Sequence, residues 1–509
     1  MWARARYLVH VGWVLLLGLA CASAAPSAPS EYLRAEWQVG QEQTSPWDLE
    51  VIAPPPAPAE LSVEDAVALA LRHNLGFRMT IQRLLSAQST WRVAKQRWSL
   101  EMFGRVERTG NGETVEERQA GLGLSYAAVT GADLSVVAEL DRLESEEGEH
   151  SVTALLRQPL LAGRGSASAA YEELRRARNA YRAALMSFFV ERQGLIEQVI
   201  SSYLNAVQQQ QLVSIRQSSV TMAEEAVRDA DLRLKEQYAV KLDLMRAQLH
   251  LAGEQTAEVL AKQSLADTMD HLLTLLGLQV GGMPKLVTQV TYEPRAIDLD
   301  ASIAQALDLR PELRLTDLAT EDRQAVLRIA RSHRLPSLDL FGAWQRTTNG
   351  VEDRSWGVGL ELSVPIASRS LNEAARQARW ELLVAQQERE VLVQQIIAEV
   401  RAEVRAARAA RQNVEIAAKS VDVAKESLVA AQRMVEEGLR TNLYVLDAQD
   451  DLTRDETSLV TSKINYYLAS VRLQRAMGLD VSQDLPGSSA TGPPGDSERP
   501  SEAPGVREQ

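Results

Sequence analysis

The side chains able to do chemistry are thinly spread along this sequence, and their spacing argues against catalysis. The six histidines, His10, His73, His150, His250, His271 and His333, nowhere show the spacing at which several ligands share a metal ion. No arrangement of Ser, His and Asp sets a nucleophile beside a base. Gly163-Arg164-Gly165-Ser166 is glycine-rich but lacks a phosphate-loop pattern; it reads as a turn into a helix capped by Ser166. Asp243 and Asp447 each follow a turn, where a carboxylate gains ~0.3–1 kcal/mol from the helix N-terminus. Cys21 is the sole cysteine, so an internal disulfide is excluded. It closes Leu17-Gly18-Leu19-Ala20-Cys21, a loose lipobox, and its thiol is either a lipid attachment point or is removed with an export signal. The expectation is a protein that is not an enzyme and holds neither cofactor nor metal.

The elements that carry these residues occur twice. Ala66, Ala68, Leu69, Leu71, Arg72 and Leu75 return as Ala304, Ala306, Leu307, Leu309, Arg310 and Leu313. Leu100, Phe103, Gly104, Thr109, Asn111 and Gly112 return as Leu338, Phe341, Gly342, Thr347, Asn349 and Gly350. At a different offset Glu236, Leu242, Ala247, Gln248, Gly277 and Leu278 match Glu437, Leu443, Ala448, Gln449, Gly478 and Leu479. Each copy reads helix, short strands, very long helix, turn, helix. Two such copies bury their apolar faces against each other, which points to one extended architecture. The first repeat covers 61–279, a connection 280–300, and the second repeat 301–480.

The chain has 509 residues and a net charge of −13 spread along its length, which disfavours nucleic acid as a partner. Arg4 and Arg6, the apolar run from Val9 to Ala20 and Ala22-Ser23-Ala24 predict a signal peptide over 1–24. Residues 25–60, with Pro54-Pro55-Pro56, read as an extended lead-in, and 481–509 as a disordered tail. No stretch approaches the ~20 apolar residues of a spanning helix, so membrane insertion must use strands.

Proline is absent between Pro159 and Pro284 and again between Pro365 and Pro486, which permits very long helices. The spacing predicts helices over 62–98, 166–235, 241–277, 301–333, 369–436 and 442–478. Ala407, Ala410, Val414, Ala417, Val421, Ala424, Leu428, Ala431 and Val435 step by three and four, a heptad seam whose alanines allow close packing. Strands are predicted over about 100–158 and 337–365 from alternation. Trp356, Val358, Leu360, Leu362 and Val364 alternate with Ser355, Gly357, Gly359, Glu361 and Ser363, as in a barrel strand with one face to lipid and one to water. Pro159 answers Pro365, yet the earlier offset would place it near 127. The extra residues after Tyr126 look like a further hairpin, Asp133 to Leu140 and Ser151 to Leu156, which either adds barrel strands or projects outside.

Gln158-Pro159-Leu160-Leu161, Leu362-Ser363-Val364-Pro365-Ile366, Glu437-Gly438-Leu439 and Leu443-Tyr444-Val445-Leu446-Asp447-Ala448-Gln449, in this order and in duplicate, resemble the TolC-type outer-membrane efflux protein family. The resemblance runs from about Leu61 to Asp480. It implies a mainly α fold with a membrane β-barrel portion: a homotrimer with an α-barrel tunnel across the periplasm and a shared β-barrel in outer-membrane lipid. That would be the passive exit duct of a tripartite efflux pump or type I secretion system, docked to a periplasmic adaptor and an inner-membrane transporter. By resemblance, Gly438, Leu439, Arg440 and Tyr238 belong to the adaptor-docking tips, and Asp447, Asp243 and Tyr444 to the channel entrance. Tyr238-Ala239 stand where Gly438 would correspond, so the first tip departs from the pattern. The rival reading is a periplasmic coiled-coil adaptor; the duplicated helices and alternating strands argue against it.

Overall fold

The computed structural model describes residues 54–96, 101–110, 115–128, 130–143, 149–236, 240–288, 292, 296–349, 351–366, 368–437, 439–441 and 443–481. The signal peptide, Cys21, Tyr238, Gly438 and the tail lie outside these residues.

The first repeat opens with a short strand, β1 (Glu60–Leu61), and helix α1 (Val63–His73), capped by Ser62, whose hydroxyl accepts from the Asp65 N–H at 3.1 Å. Helix α2 (Leu75–Gln96) follows, then strands β2 (Glu101–Gly110), β3 (Val115–Ala127), β4 (Asp133–Leu143) and β5 (Glu149–Pro159). The long helix α3 (Ala169–Lys235) and the return helix α4 (Lys241–Leu276) complete the repeat. After β6 (Lys285–Leu286), which pairs in parallel with β1, the second repeat runs α5 (Leu299–Leu309), α6 (Pro311–Ser332), β7 (Ser337–Asn349), β8 (Val351–Ser363), α7 (Arg369–Glu436) and α8 (Leu443–Ala476). At ~1.5 Å per residue, α3 and α7 are each roughly 100 Å long.

Three details differ from the sequence-based expectation. The helix expected over 62–98 is two helices, because Asn74 caps both sides of a break. Its Nδ2 donates to the Leu275 carbonyl at 2.8 Å, and its Oδ1 accepts from the Phe77 N–H at 2.9 Å. The helix expected over 301–333 breaks at Arg310, held extended at ψ 123 by the following Pro311, which takes the first helical position. The cap of the first long helix is Ser168 rather than Ser166. Its hydroxyl accepts from the Tyr171 N–H at 3.1 Å, and Gly165–Ala167 form a single 3-10 turn.

In each repeat the two shorter helical stretches lie along the long helix and meet at a left-handed glycine. Gly277 has φ 71, and a Cβ there would strike the His73 carbonyl; Gly478 has φ 76 and faces Leu309 and Arg310. Beside this junction, Arg310 donates to Glu399 of α7 at 3.2 Å. The main core lies here too. Leu61, Val63, Ile196, Val199, Ile200, Tyr203, Leu204, Leu272, Leu273 and Leu276 are fully buried. The Tyr203 hydroxyl donates to the Leu61 carbonyl at 2.8 Å, which ties β1 to the middle of α3. A second cluster around Ile396, Val400, Val404 and Ala407 does the same for α7. Toward the tip, Val414, Ala417, Val421, Ala424, Leu428, Ala431 and Val435 are buried, the last five against Val445, Ala448 and Leu452 of α8.

The six long strands form one antiparallel sheet in the order β2-β3-β4-β5-β7-β8. Strands β4 and β5 lie inside it, between β3 and β7. Registered rows cross all six strands. Met102, Leu124, Val136, Ala154, Trp344 and Trp356 are consecutive partners, and so share one face. Tyr126, Leu134, Leu156, Gly342 and Val358 form the next row on that face. On the other face Gly123, Val137, Thr153, Gln345 and Ser355 align, as do Ser125, Ser135, Leu155, Ala343 and Gly357. One face is thus mainly apolar, and the other is mainly small or polar, with Val137, Leu155, Phe103 and Phe341 among its residues. No described helix is long and apolar enough to cross a membrane.

Candidate functional site: the helix tips and the apolar sheet

The tips are where the long helices turn back. Glu236 and Glu437 cap the C-terminal ends of α3 and α7; Asp243 and Leu443 stand in the first turns of α4 and α8. Asp243 receives the Val240 N–H at 3.4 Å, so its carboxylate serves the helix start. Asp447 lies one turn into α8 and is exposed. Arg440 donates to the Tyr444 hydroxyl at 2.7 Å, and its guanidinium stacks over the ring 4.5 Å from the centroid. Tyr444 is thereby held against Arg440 of the turn. Leu439 is 67% exposed, and Val240, Leu242 and Leu443 are exposed beside the two turns.

The structure also brings together residues that linear spacing did not connect. His250 and Glu254, one turn apart on α4, meet Asp450 of α8, with ligand atoms within 4.8 Å of one another. His250 Nδ1 lies 3.8 Å from Asp450 Oδ1, and Arg216 of α3 pairs with Glu254 at 3.2 Å. Burial pushes the Asp450 carboxyl above the usual carboxylate range; His250 opposes the shift, while Glu254 and Asp447 reinforce it. Asp450 stands three residues after Asp447, on the same side of α8. That spacing was the available signal for a second acidic residue at the tip. Three such groups have the donor chemistry to take a divalent cation, but acidic surface clusters of this kind are common without one.

Two further faces lack partners among the described residues. The apolar face of the sheet is open, with Trp356 at 79% and Val106 at 86% exposure. On the helices, Leu242, Met245, Leu249 and Val259 of α4 are exposed at seam spacing, as are Trp380, Val384, Val391, Ile416 and Val423 of α7.

Residues 302–479, which hold all of the second repeat's strands and helices except its first turns, match the family described as outer membrane efflux protein. Over this part the chain is similar to the outer-membrane efflux proteins. TolC of Vibrio cholerae serotype O1 is 24% identical over 318 residues, covering 60% of this chain and 72% of that protein. The alkaline protease secretion protein AprF of Pseudomonas aeruginosa is 23% identical over 346 residues, covering 65% and 70%. The solved structure of the Vibrio cholerae outer-membrane protein VceC superposes with a TM-score of 0.63 at 15% identity, covering 82% of this chain and 96% of that one. The chain is accordingly an outer-membrane channel, the exit duct of an efflux or secretion system, with a large part in the periplasm.

Proposed function

We propose that three copies of the chain assemble into one passive duct, docked at its helix tips to a periplasmic adaptor that links it to an inner-membrane transporter. The observation that carries the trimer is the apolar sheet face beside the unpartnered helix seams. A six-stranded open sheet in lipid leaves edge N–H and C=O groups unsatisfied, each costing several kcal/mol by general estimate. The exposed seams on α4 and α7 supply the helical counterpart of the same interface.

In this assembly Asp447, with Asp243 behind it, faces its symmetry mates near the entrance, and the Tyr444–Arg440 pair stiffens the turn. Leu439, Arg440 and the tip residues Gly438 and Tyr238 form the adaptor contact. The chain carries no catalytic chemistry, and transport energy comes from the inner-membrane partner. Cys21 is the lipid attachment point, which mass measurement of the mature N-terminus tests directly. The name of AprF favours secretion of a protein and that of TolC leaves the cargo open; the genes for the transporter and adaptor beside this one would decide.

Native mass measurement in detergent tests the trimer: three copies are expected, and a stable monomer overturns it. Leu439→Asp with Arg440→Glu should abolish cross-linking to the adaptor and export while leaving the trimer intact. Unchanged export with this double variant removes the tip from the docking surface.

A further inference from the structure

The extra residues of the first repeat fold into β4 and β5, in register at the centre of the sheet. Leu134, Val136, Ala138 and Leu140 of β4, and Val152, Ala154 and Leu156 of β5, lie on the same apolar face as the strands on either side. Asp133, Ser135, Glu139, Ser151, Thr153 and Arg157 lie on the other face, with Val137 and Leu155 as its apolar members there. A hairpin standing outside the membrane would have no need of this division. The inserted strands are also joined on both flanks. Arg157 of β5 donates from Nη2 and Nε to Asp339 of β7, at 2.6 and 3.2 Å. The turn between β3 and β4 docks on the approach to α3, where the Gly165 N–H donates to the Thr130 carbonyl at 3.1 Å.

We infer that β8 of one protomer pairs with β2 of the next, closing an eighteen-stranded outer-membrane barrel in which the inserted hairpin is part of the wall. The inference rests on the trimer proposed above. Strands alternate in direction across the six, so β2 and β8 run oppositely, and edge meets edge in the same antiparallel sense as every pair inside the sheet. An even strand number per protomer is what lets three identical sheets close without a parallel seam.

The sheet does not close on itself. At ~4.8 Å between strands and ~40° tilt, six strands enclose a backbone diameter of roughly 12 Å, which leaves no lumen for the polar face. Twelve strands, four from each copy, would enclose roughly 24 Å, and eighteen roughly 36 Å. After allowance for side chains, eighteen strands leave a bore of roughly 25 Å, wider than the 10–12 Å of a single helix with its side chains. The membrane segment then no longer limits what passes. Selection of cargo by size falls to the periplasmic tips, and the outer-membrane bore admits a polypeptide that has already begun to form helical hairpins.

An electron cryo-microscopy map of the full-length protein in lipid nanodiscs tests this by counting strands. Eighteen strands with β4 and β5 in the wall are expected. A trimer with a twelve-stranded wall and the hairpin outside overturns the inference while leaving the duct intact; a monomer overturns the proposed function instead. Deletion of residues 127–158 joins Tyr126 to Pro159 and preserves the alternation of faces. In planar bilayers, polyethylene glycols added from the barrel side should be excluded at a smaller size by this variant than by the intact protein. Equal exclusion limits would show that the hairpin does not line the bore.

Discussion

The ring of Phe103 covers its cross-strand partner Gly123, so that a Cβ on Gly123 would collide with the ring's tip, Cζ and the two Cε atoms; Phe341 covers Gly359 in the same way in the second repeat. Both pairs lie on the sheet face opposite the apolar rows. An aromatic ring laid over a bare glycine screens its backbone and fixes the local register. Gly359→Val is expected to displace the ring and destabilise the sheet by ~1–3 kcal/mol. The loss would be read as an earlier thermal transition of the purified channel. No change would show that the ring moves aside freely.

The seam on α7 makes a second test. Ala417 and Ala424 are buried, whereas Lys419 is exposed on the same stretch of helix. Ala417→Asp or Ala424→Asp buries a charge in a space fitted to a methyl group, and should lower assembled yield and melting temperature by far more than Lys419→Asp. Equal small effects on yield and melting would contradict the packing.

This seam was legible in the sequence because helical packing writes itself as spacing along one segment. The break at Asn74 was not, because the carbonyl that satisfies its amide belongs to Leu275, two helices later. The break at Arg310 did carry a local signal, the proline that follows it at 311. The second helix tip was legible only in outline. Asp447 stands in a recognisable run of residues, but Asp450 draws its significance from His250 and Glu254 on another helix.

Acid should weaken the junction between α3 and α6. Burial alone would raise the Glu172 carboxyl, but hydrogen bonds from Arg175 and Arg176 outweigh it and hold the group below the usual carboxylate range. Arg175 Nη2 and Arg176 Nε approach Glu172 at 2.7 and 2.6 Å, Arg175 also contacts Asp322, and Asn179 donates to Asp322 at 2.8 Å. A depressed carboxylate contributes stability above its ordinary range and loses that contribution as the pH falls through its folded value. Glu172→Gln should therefore cost ~1–3 kcal/mol at neutral pH and little in strong acid. Thermal melts across that range read the difference, and a variant that stays parallel to the wild type would exclude this linkage.

Asp450 should behave oppositely. Its carboxyl is raised, so its ionisation opposes folding, and stability is gained as the pH falls through its folded value. Asp450→Asn should raise the melting temperature at neutral pH, with the gain shrinking in acid. A lower melting temperature at neutral pH would mean that the His250 contact outweighs burial.

For Asp447 the expected readout is electrical. Three copies brought close at a narrow entrance would repel one another and draw in compensating cations. Asp447→Asn should reduce cation selectivity and block by multivalent cations from the periplasmic side, with the trimer retained. If single-channel recordings show selectivity and block unchanged, the carboxylate serves only its helix start.

Strands β3 and β5 run the same way, so the chain leaves the inserted hairpin at the end of the sheet where it entered it. The long helices can therefore start from the same end of the sheet with or without it, the contact of its first turn at Thr130 with Gly165 being its tie to the approach of α3 among the described residues. Wall circumference can change by whole hairpins during evolution without a compensating change in the rods below. In a three-fold ring, each such duplication alters the wall by six strands at once. With the hairpin in the wall, pore width would be a stepped trait, set apart from the helix tips at the other end of the molecule.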